Sequence, residues 1–415
     1  MQFHPVLAKI ISLILAVITP VLSFTFGTVG NYTASPEKAQ IALEKTDGFM
    51  AGICHPDPEY QKIKDANIGW IREDIPFPFD EEGNLTESYI NTKEEMREYA
   101  KNGIKVMAIT PNPKEYLANG LDIRNKEDIP EIERIAEFYI EDYKDIAGAF
   151  QIANEMGIDR FTKPFTQTEA AKFIGVQLKA MYPKRGDIII GYNVGGLGMA
   201  TMPFLMMPYS RYVDYIGVDL YFGSFENVVK SMETYPAILK MIHAVTGKPL
   251  VLAEFGYIGY GEPKTDEEKA EILEKYGFHS EAEVKQDVEA FISQLPESLR
   301  EEFELYYKDL SAEDKWSLLF QGEFANHIYR ELAEGVELTG YPHSPEGQAK
   351  FYADLIPVVR NLDYCIGAFI YMWNDSQKCY VCGQADCPVE TGWGIVDGNG
   401  NPKPAYYAVQ AAFAD

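Results

Sequence analysis

From residue 49 onward, short runs of β-branched and aromatic residues alternate with longer segments whose apolar positions recur at helical spacing. Eight such runs stand out, at 49–54, 68–75, 104–110, 147–153, 187–192, 213–221, 249–255 and 364–373. Between them, residues 130–143 set Ile132, Ile135, Ala136 and Tyr139 on one helical face, and residues 166–182 do the same with Ala170, Phe173, Ile174 and Leu178. Near-continuous apolar strands separated by amphipathic helices describe parallel βαβ units with both sheet faces covered. Eight units in succession predict an α/β chain folded as a single (β/α)8 TIM barrel over residues 36–414; such barrels need about 250 residues. An open doubly wound sheet is the alternative. Its dinucleotide-binding form requires a Gly-x-Gly-x-x-Gly turn after the first strand, and none is present.

One segment breaks the rhythm. Residues 258–342 are helical in pattern, rich in Glu and Lys, and longer than a usual βα connection. They predict a helical insertion between strands seven and eight, over the C-terminal face where barrel active sites lie. Such an insertion is either a lid or subsite wall, or a solvated helical surface without a part in function. At the other end, Lys9 precedes an apolar run over 10–26 that Pro20 interrupts, followed by small residues. Residues 1–35 therefore predict a signal peptide or an N-terminal anchor, and with it a secreted or cell-surface protein.

Charge narrows the function classes. Acidic residues outnumber basic ones 63 to 37, for a net charge of −26, which repels phosphate backbones and anionic lipid surfaces. Neither nucleic acid nor a membrane partner beyond the possible anchor is expected. Six histidines and no His-x-His pair speak against a metal-dependent barrel hydrolase, so no cofactor and no catalytic metal are expected.

The fourth and seventh runs each end in a carboxylate: Phe150-Gln151-Ile152-Ala153-Asn154-Glu155 and Leu250-Val251-Leu252-Ala253-Glu254. An acid at the end of a buried strand suffers desolvation unless it is partnered or used. Glu155 and Glu254 are 99 residues apart, about three ordinary βα units, which sets them across the barrel mouth. Two carboxyls roughly 5 Å apart suit glycosidic cleavage with retained configuration. Arg72, ending the second run, would hold Glu254 ionised and oriented.

At these residues the chain resembles the large clan of retaining glycoside hydrolases with (β/α)8 barrels, which includes cellulases, mannanases, β-galactosidases and β-xylosidases. The likeness rests on Ala153-Asn154-Glu155 and Leu252-Ala253-Glu254-Phe255-Gly256, with support from Tyr371-Met372-Trp373-Asn374 and from Gly394-Ile395-Val396-Asp397 and Pro402-Lys403-Pro404-Ala405-Tyr406. The resemblance implies hydrolysis of β-glycosidic bonds by double displacement through a covalent glycosyl-enzyme, with Glu155 as acid/base and Glu254 as nucleophile. It further implies that Asn154 binds the sugar 2-hydroxyl, that Tyr221 donates to the nucleophile, and that Trp373 is an aromatic plate for a sugar ring. His55, Asn193 and Trp393 are weaker candidates for substrate contact. The substrate would be an oligosaccharide, polysaccharide or glycoside. A non-catalytic carbohydrate-binding barrel is the rival reading, but such a protein has no need of both acids.

Three cysteines, Cys379, Cys382 and Cys387, follow the eighth run, and in a closed barrel strand eight neighbours strand one, where Cys54 sits. The four thiols are expected to converge. Export favours disulfides among them, with structural zinc as the alternative. Cys365 begins a core strand and is expected to pack.

Overall fold

Strands that are covered on one side by a barrel interior and on the other by helices must be apolar along their whole length, and this is what the eight runs become. In the computed structural model, which describes residues 36–224, 229–322, 324–332 and 334–414, they form β1 Met50–Cys54, β2 Trp70–Asp74, β3 Lys105–Ile109, β4 Ala147–Ile152, β5 Ile189–Val194, β6 Tyr215–Leu220, β7 Leu250–Phe255 and β8 Cys365–Ile370. All pairs are parallel, and β8 closes onto β1. The sixth and eighth runs overshoot their strands because their last residues turn outward at the mouth, and the fifth strand starts later and ends at Val194. The leader predicted over 1–35 lies outside the described residues.

Met50, Trp70, Met107, Ala149, Ile189, Tyr215, Val251 and Phe369 pack together inside the barrel. Gly52 supplies the space for this, since a Cβ there would fall 2.2 Å from the Phe369 ring. The helix Pro36–Thr46 adds Ala39 and Ala42 to the same cluster. Lys45 donates to the Gly186 carbonyl just before β5, so this helix plugs the end where the strands begin.

The outer helices bury the faces that their spacing predicts. Gln167–Met181 opens with Thr166 and Glu169 in a capping box and buries Ala170, Phe173, Ile174 and Leu178. Ile129–Asp142 carries Pro130 in its first turn and buries Ile132, Ile135, Ala136 and Tyr139.

Between β7 and β8 the chain makes the short helices Asp266–Glu274, Glu281–Gln286, Val288–Gln294, Glu297–Glu302, Ala312–Gln321 and Phe324–Tyr329 before the crossover helix Pro345–Arg360. They build a core of their own around Leu273, Phe291, Leu299, Phe303, Leu319 and Phe324. It continues into the segment after β8 through Cys379, Cys382, Cys387, Val389 and Trp393. The charged faces of these helices are wet, but their apolar faces are shared with that segment. Among the described residues, no helix is long and apolar enough to cross a membrane.

Candidate active site

At the C-terminal end of β4 the chain turns sharply. Ala153 and Glu155 take φ of 59° and 48°, a left-handed conformation that costs a side-chain-bearing residue about 1–3 kcal/mol unless its surroundings impose it. Three neighbours impose it here. The Ala153 N–H donates to Thr110 Oγ1 at 3.1 Å, the Asn154 N–H to Asn112 Oδ1 at 2.7 Å, and the Glu155 N–H to Asn193 Oδ1 at 2.7 Å. The Glu155 carboxylate rests over Gly195, where a Cβ would come within 2.6 Å of its Oε1. The turn thus presents Asn154 and Glu155 together.

Glu254 lies inside β7, and both of its oxygens are engaged. Arg72, fully buried, donates from Nη1 to Glu254 Oε1 at 2.5 Å, and the Tyr221 hydroxyl donates to Oε2 at 2.5 Å. The same guanidinium donates from Nε to Gln151 Oε1 at 2.9 Å and from Nη2 to Asn154 Oδ1 at 2.7 Å. Burial works against the charge on Arg72, and the Glu254 carboxylate outweighs it, so the guanidinium stays protonated. Asn154 Oδ1 also accepts from Gln151 and from Asn193, each at 3.1 Å. Three donors on one oxygen fix the orientation of the amide and leave its NH2 group as an unused donor among the described residues.

Beneath this lies Asp219 on β6, to whose Oδ2 the Asn193 amide also donates. Its Oδ1 has no hydrogen-bond partner among the described residues. Burial, and then the Glu254 charge, push the Asp219 carboxyl well above the usual range even with Arg72 near.

Four of the seven expected supporting or substrate-contact residues therefore gather around the two acids: Arg72, Asn154, Asn193 and Tyr221. His55, after β1, stands at the rim, where its Nδ1 meets Glu73 Oε1 at 3.0 Å. Burial lowers its pKa, but the Glu73 carboxylate, by charge and by hydrogen bond, and then Asp74 and Glu254 raise it further, so it is pushed up to about 9. A raised imidazole pKa contributes stability that is fully present below the unfolded value near 6.5 and is lost as pH rises through about 9. The melting temperature of a His55→Asn variant should thus lie below that of the parent at pH 6, with the gap closing toward pH 9. Parallel curves would show that the His55–Glu73 pair does not form.

Three expectations need correction. Trp373 is no sugar plate: it is fully buried, its indole N–H donates to Glu59 Oε2 at 2.9 Å, and its ring packs 6.2 Å from Tyr406 of the last helix. Strand β8 ends at Ile370, and it is Tyr371 that faces the mouth, with ring centroids 6.1 Å from His55, 5.9 Å from Tyr221 and 5.9 Å from Trp393. Trp393 is buried too, 5.2 Å from Tyr221, with its N–H on the Val389 carbonyl at 2.5 Å. It backs the site rather than lining it.

The four expected thiols do not converge either, and all five cysteines are free. Cys54 points into the barrel, where its Sγ receives a long contact of 3.8 Å from Arg72 Nη1 and reaches the Ala253 carbonyl at 3.7 Å. Cys379, Cys382 and Cys387 gather instead with His327 of the insertion. Cys365 packs in the core, as expected.

Gln151, Asn112, Asp219 and Tyr371 were not singled out by the sequence. Asp219 carries a signal that could have found it, as the lone acid within the apolar strand Tyr215-Ile216-Gly217-Val218-Asp219-Leu220. Gln151 likewise interrupts β4. Asn112 caps the short helix Pro113–Ala118 and Tyr371 follows directly on β8, where polar and aromatic residues are unexceptional.

The sequence matches no protein-family model and no curated protein. Solved structures do resemble the fold. A family 39 glycoside hydrolase from Bacteroides cellulosilyticus WH2 aligns with a TM-score of 0.53 at 13% identity, over 89% of this chain and 64% of that one. A glucosidase from Croceicoccus marinus aligns at 0.52 and 11% identity, over 88% and 68%. The Ignisphaera aggregans GH53 catalytic domain aligns at 0.51 and 14% identity, over 91% and 94%. The chain spans about half the length of two similar β-galacturonidase structures from Eisenbergiella tayi, 51% and 50%. At these identities what is shared is the fold: a (β/α)8 barrel of the kind on which these glycoside hydrolases are built.

Proposed function

We propose that the protein is a retaining glycoside hydrolase that cleaves β-glycosidic bonds, with Glu254 as nucleophile and Glu155 as acid/base. The observation that carries the reading is the asymmetry between the two acids. Glu254 accepts a guanidinium on one oxygen and a phenol on the other, an environment that stabilises a carboxylate and fixes its direction of attack. Glu155 sits on a backbone turn that three hydrogen bonds impose, and in the proposed reaction it gives the proton to the leaving oxygen. Attack of Glu254 on the anomeric carbon breaks the glycosidic bond as Glu155 protonates the leaving group. Glu155 then takes a proton from water as the water attacks the glycosyl ester and frees Glu254. Arg72 and Tyr221 are positioning residues, and the fixed NH2 of Asn154 is the donor suited to the sugar 2-hydroxyl. The barrel fold shared with glycoside hydrolases of several families supports the same reading.

Trapping tests it. A 2-fluoro aryl β-glycoside with an activated leaving group slows ester hydrolysis more than ester formation, so the peptide holding Glu254 should gain the mass of one fluorosugar. An adduct on any other residue, or none across a panel of sugars with measured turnover, would remove the assignment.

The position of Glu155 can be disturbed without touching Glu155. A methyl group in Gly195→Ala must push on Oε1, and misplacing a catalytic group by about 1 Å costs on the order of 100-fold. The rate should fall by about that factor on substrates with poor leaving groups and much less on activated ones, with an unchanged circular dichroism spectrum. An equal loss on both kinds of substrate would contradict the acid role.

A further inference from the structure

His327 comes from the helix Phe324–Tyr329 of the insertion, and Cys379, Cys382 and Cys387 from the segment after β8. All four side chains are buried, and their donor atoms lie within 4.8 Å of one another. Cys379 Sγ is 3.5 Å and Cys387 Sγ 3.6 Å from His327 Nδ1. With Zn–S bonds of about 2.3 Å and a Zn–N bond of about 2.0–2.1 Å, a tetrahedral ion holds its sulfur and nitrogen ligands about 3.6 Å apart, which is the spacing found. The Cys379-x-x-Cys382 turn is shaped for the same purpose: the Cys382 N–H points at Cys379 Sγ at 3.4 Å, and the Gly383 N–H closes the turn on the Cys379 carbonyl at 2.8 Å. A disulfide explains the cluster less well. The thiols are free, their number is odd, and pairing two of them would leave an imidazole and a thiol together without purpose.

We propose that Cys379, Cys382, Cys387 and His327 form a structural zinc site that clips the helical insertion to the segment after β8. Binding releases the thiol protons to solvent and leaves no open coordination position, so the ion holds structure and does no chemistry. The clip reinforces an apolar core that the insertion and this segment share. The insertion is built of short helices, and Arg330 with Asp386 at 3.0 Å, Ser298 with the Val381 carbonyl, Tyr260 with Thr391, and the Gly259 N–H on the Gly392 carbonyl at 2.8 Å also link it to this segment. Downstream of Cys387 the segment carries Trp393 against Tyr221, so the metal fixes the wall behind Glu254. The site stands independently of the glycosidase reading.

The test begins with the full chain purified without added metal, in which zinc and free thiols are both counted. One zinc per chain is expected, with X-ray absorption at the zinc edge showing three sulfur neighbours and one nitrogen. His327→Cys should keep the metal in an all-sulfur site. His327→Ala and Cys387→Ser should weaken zinc binding by more than the roughly 10- to 100-fold that loss of an outer-shell partner costs, and should speed proteolysis within 379–393. Because a ligand variant can fail to fold, the wild-type count decides the matter alone. Free thiols without zinc, iron in place of zinc, or any disulfide among the three cysteines would overturn the proposal.

Discussion

Glu254→Ala should lower the rate on an aryl β-glycoside by on the order of 10⁵-fold, because removing the nucleophile removes the covalent route itself. Azide should recover part of that rate. The small anion enters the space the carboxylate vacates and attacks the anomeric carbon from the same face, so the glycosyl azide it forms has inverted configuration. Glu155→Ala should respond differently. Loss of a general acid costs about 10²–10⁴-fold where the leaving group needs a proton and little where it does not, so activated substrates should still form the ester. They should then stall, since no base activates water, and azide should release a product of retained configuration. Identical rescue products from the two variants would contradict the separate roles.

Arg72→Ala should be among the most destabilising single substitutions in the protein. It leaves Glu254 as an uncompensated charge in a buried site and strips donors from Gln151 and Asn154, and breaking a buried pair in this way costs about 3–5 kcal/mol. Urea unfolding measures it. The double variant Arg72→Ala with Glu254→Gln should recover part of the loss, because the charge that made the vacancy costly is gone. A single variant that loses less than about 1 kcal/mol would mean that Arg72 is not bound to Glu254 as described.

The barrel was legible because each strand is buried on both faces and must be written in apolar residues, and the acids were legible because they end or interrupt such runs. The role that the resemblance implied for Trp373 failed where the strand ended. Phe369 faces the interior, and continuing the alternation sends Tyr371 and Trp373 the same way, but β8 stops at Ile370 and the turn carries Trp373 out to Glu59 and Tyr406. Cys54 was the opposite case. Its parity with Met50 and Gly52 places it inside the barrel, and reading that period would have separated it from the three later cysteines. His327 left no signal at all, since it lies 52 residues before Cys379 and nothing in a run of short helices announces which one folds back.

The central claim is that Glu254 attacks the sugar directly, and the configuration of the first product reads it most directly. Proton nuclear magnetic resonance of an aryl β-glycoside digest, recorded before the free sugar equilibrates, should show the β-anomer appearing first and the α-anomer growing only as fast as mutarotation. First appearance of the α-anomer would mean that water, not Glu254, attacks the substrate.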